Sequence, residues 1–237
     1  MGIFRVDQCE STQDLAWASQ PPTAPEGDFY LAARQTHGRG RGGGRQWVSP
    51  AGGLYLSWRL QLDDPTGFTL LGGLAVARSL LHFGAKPWLK WPNDCWVGPA
   101  KIAGTLSDCR WRGSLCLGLV LGIGVNVCVD PAQLPEQATS LQLCSEHPPD
   151  LPHFTEFLMG QLTDLLEVHR SQGLAGYLDE VRALSIAAGT SVRYWLAEHE
   201  RQGIVAGLDD QGFLLLQSGV CLPAVDRLVV EFGSVDQ

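Results

Sequence analysis

Four strand-like runs crowd the stretch from Trp88 to Val127, and their spacing constrains the fold more than any other feature of the chain. Trp88 to Trp91, Cys95 to Val97, Ile102 to Asp108 and Leu115 to Val127 are divided by turn formers such as Pro92-Asn93-Asp94 and Gly98-Pro99. Consecutive strands joined by short turns imply an antiparallel or mixed sheet. Upstream, Ser11 opens a short helix with Asp14 three residues on, a capping-box-like start, and Tyr30 to Ala33 and residues 54–62 read as strands. Thr69 to Phe83 has helical periodicity and stops at Gly84.

From Asp150 the period turns helical again, with Phe154, Phe157, Leu158, Leu162, Leu165 and Leu166 on one face, and a second helix runs near Leu174 to Leu184. Beyond Ser191 only short strands remain: Val192 to Leu196, Gly203 to Leu208, Phe213 to Gln217 and Leu228 to Phe232. The expected fold class is α+β: a mixed, largely antiparallel sheet covered by helices on one face over residues 1–186, then a small all-β C-terminal domain over 187–237.

Composition limits the partners. A formal net charge of -8 argues against general nucleic-acid binding, which needs a basic face. The start, MGIFRVDQCES, lacks a basic segment and an apolar run, and no stretch reaches the ~20 apolar residues of a membrane span, so a cytoplasmic protein is expected. The seven cysteines form no C-x-x-C pair and none has zinc-ligand spacing to a histidine, so they read as reduced thiols and no metal site is expected.

Within this acidic chain one loop is cationic. Residues 38–45, GRGRGGGR, hold five glycines and three arginines, and no Asp or Glu occurs from Phe29 to Leu62. Glycines let backbone N–H groups approach oxyanions, and Arg39, Arg41 and Arg45 add fixed positive charge. A solvated loop or an arginine-glycine RNA-binding segment is the alternative, but the run leads straight into Trp47, Pro50 and an apolar strand. It is not a P-loop, because no G-K-[ST] ending follows.

Two further signals accompany the loop. The only lysines, Lys86, Lys90 and Lys101, fall within sixteen residues of one another. Lys101, at the start of IAGTL, suits a group that must meet a carboxylate and a phosphate in turn; a surface lysine at a strand edge is the bland reading. The buried run LGLVLGIGVNV is interrupted by Gly122 and Gly124, which points to close approach by a ligand or another backbone, with Asn126 following on the same strand.

Taken in order, GRGR followed by W-x-S-P, then KWPND, then K-I-A-G, then GIGVNV, resemble the biotin–protein ligase family, and QGIVAGLDDQGFLLL looks like that family's SH3-like C-terminal barrel. No helix-turn-helix precedes these motifs, so the chain looks like the short form without a DNA-binding domain. The resemblance implies a biotin pocket of Ser11, Thr12, Gln13, Gln35, Gly38, Arg39, Gly40, Arg41, Lys101, Gly104, Gly122 and Gly124. Gln13 stands where the family usually has Asn.

It further implies ATP or adenylate contacts by Arg41, Arg45, Trp47, Asn93, Lys101 and Asn126, with Lys101, Arg39 and Arg41 catalytic. Asn93 and Asp94 would support the site or touch the nucleotide. The loop is one residue longer than the family's, and the tail VDRLVVEF lacks its terminal arginine, so the resemblance assigns that tail no contact with phosphates.

The implied substrates are biotin and ATP with Mg²⁺, and the implied acceptor is the biotin carboxyl carrier protein of acetyl-CoA carboxylase, met without nucleic acid or membrane. Both monomer and homodimer remain open. A glycine-arginine loop that closes over the adenylate is expected to be mobile when empty. The rival readings are a lipoate ligase, a lipoyl or octanoyl transferase, which would need a reactive cysteine, Cys109 beside Arg110 being the nearest, and a non-catalytic biotin or nucleotide binder.

Overall fold

The computed structural model describes residues 1–42 and 44–231. Gly43 of the glycine run and Phe232, the expected end of the last strand, lie outside the described residues. The elements run β1 (Ile3–Cys9), α1 (Thr12–Ala18), β2 (Asp28–Gln35), β3 (Gly53–Leu60), α2 (Phe68–His82), β4 (Pro87–Lys90), β5 (Asp94–Val97), β6 (Ala100–Arg112) and β7 (Leu115–Asn126). They continue with α3 (Leu141–Cys144), α4 (Leu151–Gln172), α5 (Ala175–Leu184), β8 (Ser191–Leu196), β9 (His199–Leu208), β10 (Leu214–Leu216), β11 (Cys221–Leu222) and β12 (Arg227–Val230).

Seven strands form one sheet in the order β1-β2-β3-β7-β6-β5-β4. Only the β1–β2 pair is parallel; the rest are antiparallel, as the short turns require. Strand alternation divides β7 between two faces: Leu119, Leu121, Ile123 and Val125 enter the large core under α2, α4 and α5, while Val120 packs under α1 with Ala16 and Tyr30. Gly122 and Gly124 therefore lie on the α1 face. The expectation of helices on one face holds for α2, α4 and α5, and α1 covers part of the other.

Local chemistry sets the helix ends. Ser11 caps α1, but its hydroxyl accepts from the Gln13 N–H, and the Asp14 carboxylate turns to Arg39 instead of closing a capping box. In α4, Asp150 accepts from the His153 N–H with Pro152 in the first turn, and the helix stops at Gly173, whose φ is +63°. The strand β1 was not foreseen: it is an edge strand with Ile3 and Phe4 exposed, so its sequence lacks an alternating apolar face.

The C-terminal strands form a second, antiparallel sheet in the order β11-β10-β9-β8-β12. Its apolar side chains, among them Val192, Tyr194, Val205, Leu214 and Leu228, join the same core as α2 and α5. Its Asp209–Gly212 turn plugs into the first unit, where Gly212 O accepts from Trp91 Nε1 at 2.9 Å. Among the described residues no helix is long and apolar enough to cross a membrane.

Candidate functional site

The site forms on the α1 face, where Gly104 of β6 and Gly122 and Gly124 of β7 offer no side chains. Gly104 and Gly124 are cross-strand partners, and together they floor a shallow bay. Trp47 lies on that floor: a Cβ at Gly124 would stand 2.5 Å from Trp47 Cε2, and one at Gly104 would stand 3.2 Å from Trp47 Cζ3. Glycine is needed at both positions because an indole occupies the space of a side chain. Gly122 leaves room for Gln13 in the same way, its Cβ position being 2.9 Å from Gln13 Cδ.

The N-terminus of α1 closes one end of the bay with a polar network. The Thr12 backbone N–H and hydroxyl both donate to Gln35 Oε1, at 2.8 and 3.1 Å, and the hydroxyl lies 2.8 Å from Ser57 Oγ. Gln35 Nε2 donates to Ser49 Oγ at 3.0 Å, and Gln13 Nε2 donates to Leu106 O at 2.9 Å. Ser11, Thr12 and Gln13 are all buried. Buried polar side chains are held where each finds a partner, so this end is rigid before any ligand arrives.

The glycine-arginine loop folds back on itself. Trp47 N–H donates to Gly38 O at 2.8 Å and Gly40 N–H to Arg45 O at 3.0 Å, so the segment is a short hairpin over the bay. Its arginines diverge. Arg39 forms ion pairs with Asp14 at 3.3 Å and Asp108 at 3.5 Å, toward α1. Arg41 donates to Val225 O of the C-terminal sheet at 2.9 Å, and burial lowers its guanidinium pKa, with Asp94 opposing. Arg45 is exposed and lines only the larger of the two cavities described next.

Two cavities meet here. The smaller, about 60 Å³, is lined by Ser11, Thr12, Gln13, Gln35, Gly104, Gly122 and Gly124, with Trp47 lying against Gly104 and Gly124. The larger, about 550 Å³, opens between the KWPND turn and the start of β12. Gly40, Arg41, Trp47, Asn93 and Lys101 line both. Lys101 Nζ stands 2.6 Å from Asp94 Oδ1 and 5.3 Å from the Trp47 ring centre. The cation is therefore poised at the junction, held by a carboxylate that an incoming anion can replace.

The expected residues gather around these cavities with two exceptions, Gly38, whose carbonyl is taken by the Trp47 N–H of the hairpin, and Asn126. Asn126 lines neither; its Nδ2 donates to Thr139 O at 3.0 Å and ties β7 to the segment before α3. Asn93 reaches the junction, but its amide is spent on Thr105 O and Asp94 Oδ1, both at 3.1 Å. Ser49, Ser57, Lys90, Trp96 and Arg227 were not singled out as site residues. Of these, Lys90, as the first residue of KWPND, and Ser49, as the serine of W-x-S-P, carried a signal.

No thiol serves the site. All seven cysteines are free, and burial foremost pushes the Cys109 thiol up to about 12, so no appreciable thiolate exists there near neutral pH. Arg110 does not rescue it, since its guanidinium stacks over Trp17 at 4.1 Å. Among the described residues no group of three or more His, Cys, Asp or Glu could hold a metal ion.

Comparison with known proteins places this geometry in context. A family model described as the biotin/lipoate A/B protein ligase family matches residues 6–126. The bifunctional ligase/repressor BirA of Escherichia coli is 34% identical over 207 residues, which cover 83% of this chain and 64% of that protein. The biotin–[acetyl-CoA-carboxylase] ligase of Mycobacterium tuberculosis is 33% identical over 208 residues, 82% of this chain and 74% of that one. The chain thus spans about two thirds of the length of these relatives. Among solved structures, a biotin protein ligase from Aquifex aeolicus in complex with biotin and ATP has a TM-score of 0.82 at 24% identity, covering 97% of this chain and 99% of that chain.

Proposed function

The chain belongs to the biotin/lipoate A/B protein ligase family, and from that membership we propose that it is a biotin–protein ligase, which joins biotin and ATP into biotinyl-adenylate and transfers the biotin to a lysine of a carrier domain. The observation that carries this reading is the junction of the two cavities at Arg41 and Lys101. A ligand in the small cavity would present its acid end where a ligand in the large one presents phosphates.

The small cavity favours biotin over lipoate. Its closed end consists of Thr12, Gln13 and Gln35, with Ser57 bonded behind Thr12, donors and acceptors that suit a ureido ring and gain nothing from a dithiolane. In the first half-reaction the biotin carboxylate oxygen attacks the α-phosphorus of ATP, the bond to the β-phosphate oxygen breaks and pyrophosphate leaves. Both reactants are anions, so holding them in line and offsetting charge with Lys101 and Arg41 accounts for the catalysis. In the second, the amine of the acceptor lysine attacks the acyl carbon, AMP leaves and the amine sheds a proton.

Asp94 and Asp226 line the large cavity, which fits a magnesium ion held by one or two carboxylates and the phosphates of its nucleotide. Bound there, Mg²⁺ would offset phosphate charge. The carrier domain of acetyl-CoA carboxylase is the proposed acceptor, and the cytoplasm the proposed compartment. Division at residues 186/187 into catalytic and C-terminal domains is part of the same reading.

The test is pyrophosphate exchange into ATP, run with biotin and separately with lipoate, followed by mass spectrometry of a biotin carboxyl carrier domain after incubation with biotin, ATP and Mg²⁺. Exchange with biotin and a single biotinyl adduct are expected. Exchange with lipoate alone would overturn the substrate, and adduct-free carrier with active exchange would overturn the acceptor.

A further inference from the structure

A glutamine amide turns about its last bond with little change of shape, so what it offers a ligand depends on what holds its oxygen and nitrogen apart. Gln35, at the end of β2, lines the small cavity. The Thr12 backbone N–H can only donate, and it reaches Gln35 Oε1 at 2.8 Å, with the Thr12 hydroxyl on the same atom at 3.1 Å. Oε1 is therefore spent on two bonds, and Nε2 lies on the other side, 3.0 Å from Ser49 Oγ. Among the described residues, the capacity left on this amide is its second Nε2 N–H.

The surroundings of Ser49 serve to hold that nitrogen. Ser49 is buried, and its hydroxyl accepts from Gln35 Nε2 while donating to Trp47 O at 3.3 Å. Pro50 follows, which biases the Ser49 backbone toward an extended form, and Pro50 O accepts from the hydroxyl of Tyr55, buried on β3. Gly38 is bare where these groups meet: a Cβ there would stand 3.0 Å from both Gln35 Nε2 and Ser49 Oγ, and 2.5 Å from Trp47 O. Behind Thr12, fully buried Ser57 lies 2.8 Å from the Thr12 hydroxyl oxygen. Because Thr12 gives its proton to Gln35, Ser57 donates to Thr12. One chain of donors then runs from Ser57 through Thr12, Gln35 and Ser49 to the Trp47 carbonyl, each bond polarising the next.

We propose that Ser49 is a positioning residue for the head group of the bound acid: by holding Gln35 Nε2 it leaves the ligand a donor instead of the amide oxygen, and it ties that choice to the hairpin through Trp47 O. Ser49 lines neither cavity, so it acts through Gln35. The identity of the ligand rests on the ligase reading, since the ureido oxygen of biotin is an acceptor such a donor can meet; the state of the amide does not. Ser49 thus governs capture of the acid and has no part at the junction where Lys101 and Arg41 stand.

Two variants release the amide without altering the cavity wall: Ser49→Ala, and Ser49→Cys, which nearly keeps the size but offers a poor acceptor. In calorimetry, biotin is expected to bind either about tenfold more weakly, the worth of one buried hydrogen bond. In pyrophosphate exchange the KM for biotin should rise by the same factor, while kcat and the KM for ATP stay within about twofold of wild type. In a Gln35→Ala background, Ser49→Ala should cost nothing further, because the group it holds is gone. Solvent exchange of the Gln35 side-chain amide protons, followed by NMR, reads the positioning with no ligand present: it should be slow in wild type and about tenfold faster in Ser49→Ala.

Biotin affinity unchanged in a Ser49→Ala protein that melts like wild type would overturn the inference. So would an undiminished loss in the Gln35→Ala background, which would make Ser49 a strut of the hairpin and no more. Wild-type protein that binds no biotin, but whose Gln35 amide protons are released by Ser49→Ala, would sink the ligase reading and leave the positioning standing.

Discussion

Lys101 and Gly124 show how much one residue decides at this site. Lys101, like Arg41, lines both cavities, and it already stands within 2.6 Å of a carboxylate, so removing its charge should act on chemistry more than on capture. Lys101→Gln is expected to keep biotin affinity within about threefold while pyrophosphate exchange falls by about a hundredfold or more. Equal exchange rates in the two proteins would remove Lys101 from the mechanism. Gly124 acts by having no side chain. In Gly124→Ala the new Cβ would meet Trp47 at 2.5 Å, so the indole must leave its seat and the bay narrows. Biotin affinity by calorimetry should drop about tenfold or more, the scale of overpacking a rigid site. An affinity like wild type's would show that the ligand does not use this floor.

Most elements could be read from period and turn chemistry, and the exceptions share a cause. The strand β1 has an exposed edge, β11 is two residues long with only Leu222 buried, and the first part of β9, His199–Gln202, is exposed; none of these has a buried face long enough for a pattern to record. The site motifs were legible in order, GRGR, KWPND, KIAG and GIGVNV, because glycine and cation spacing is local. What a motif cannot carry is direction: Arg39 turns to Asp14 and Asp108, and Arg227 reaches the cavity from over a hundred residues away in sequence. Helix-to-helix ties were equally hidden, such as the two-pronged Arg78–Glu180 pair joining α2 to α5. Hydrogen bonding to Arg78, ahead of their mutual charge, holds the Glu180 carboxyl below its ordinary range, while burial opposes it. A depressed carboxyl adds stability above its unfolded value and loses it as pH falls through the folded one. The melting-temperature advantage of wild type over Glu180→Gln should therefore be present at about pH 6 and shrink below about pH 4, being worth no more than about 1 kcal/mol for a pair this exposed. An advantage independent of pH would mean that packing, not charge, makes the tie.

At the scale of the whole molecule, the two sheets are fastened at the point where the site is built. The Asp209–Gly212 turn of the second sheet is wedged between α2 and α5, and its last carbonyl receives the indole of Trp91, whose neighbours Asn93 and Asp94 line the site. Such a wedge works only with glycine: φ at Gly212 is +76°, and a Cβ there would stand 2.5 Å from Leu70 Cδ1. Strain and overpacking add in Gly212→Ala, for an expected loss of about 2 to 4 kcal/mol in denaturant unfolding. Because the apolar side chains of both sheets belong to one core, that loss should lower a single transition, with far-ultraviolet circular dichroism and tryptophan emission moving together. The same variant should also weaken ATP before biotin, since the wedge steadies the KWPND turn and β12 but not the α1 end of the bay. Two separated transitions, with the earlier one sparing pyrophosphate exchange, would show instead that the C-terminal sheet opens on its own and that the large cavity does not depend on it.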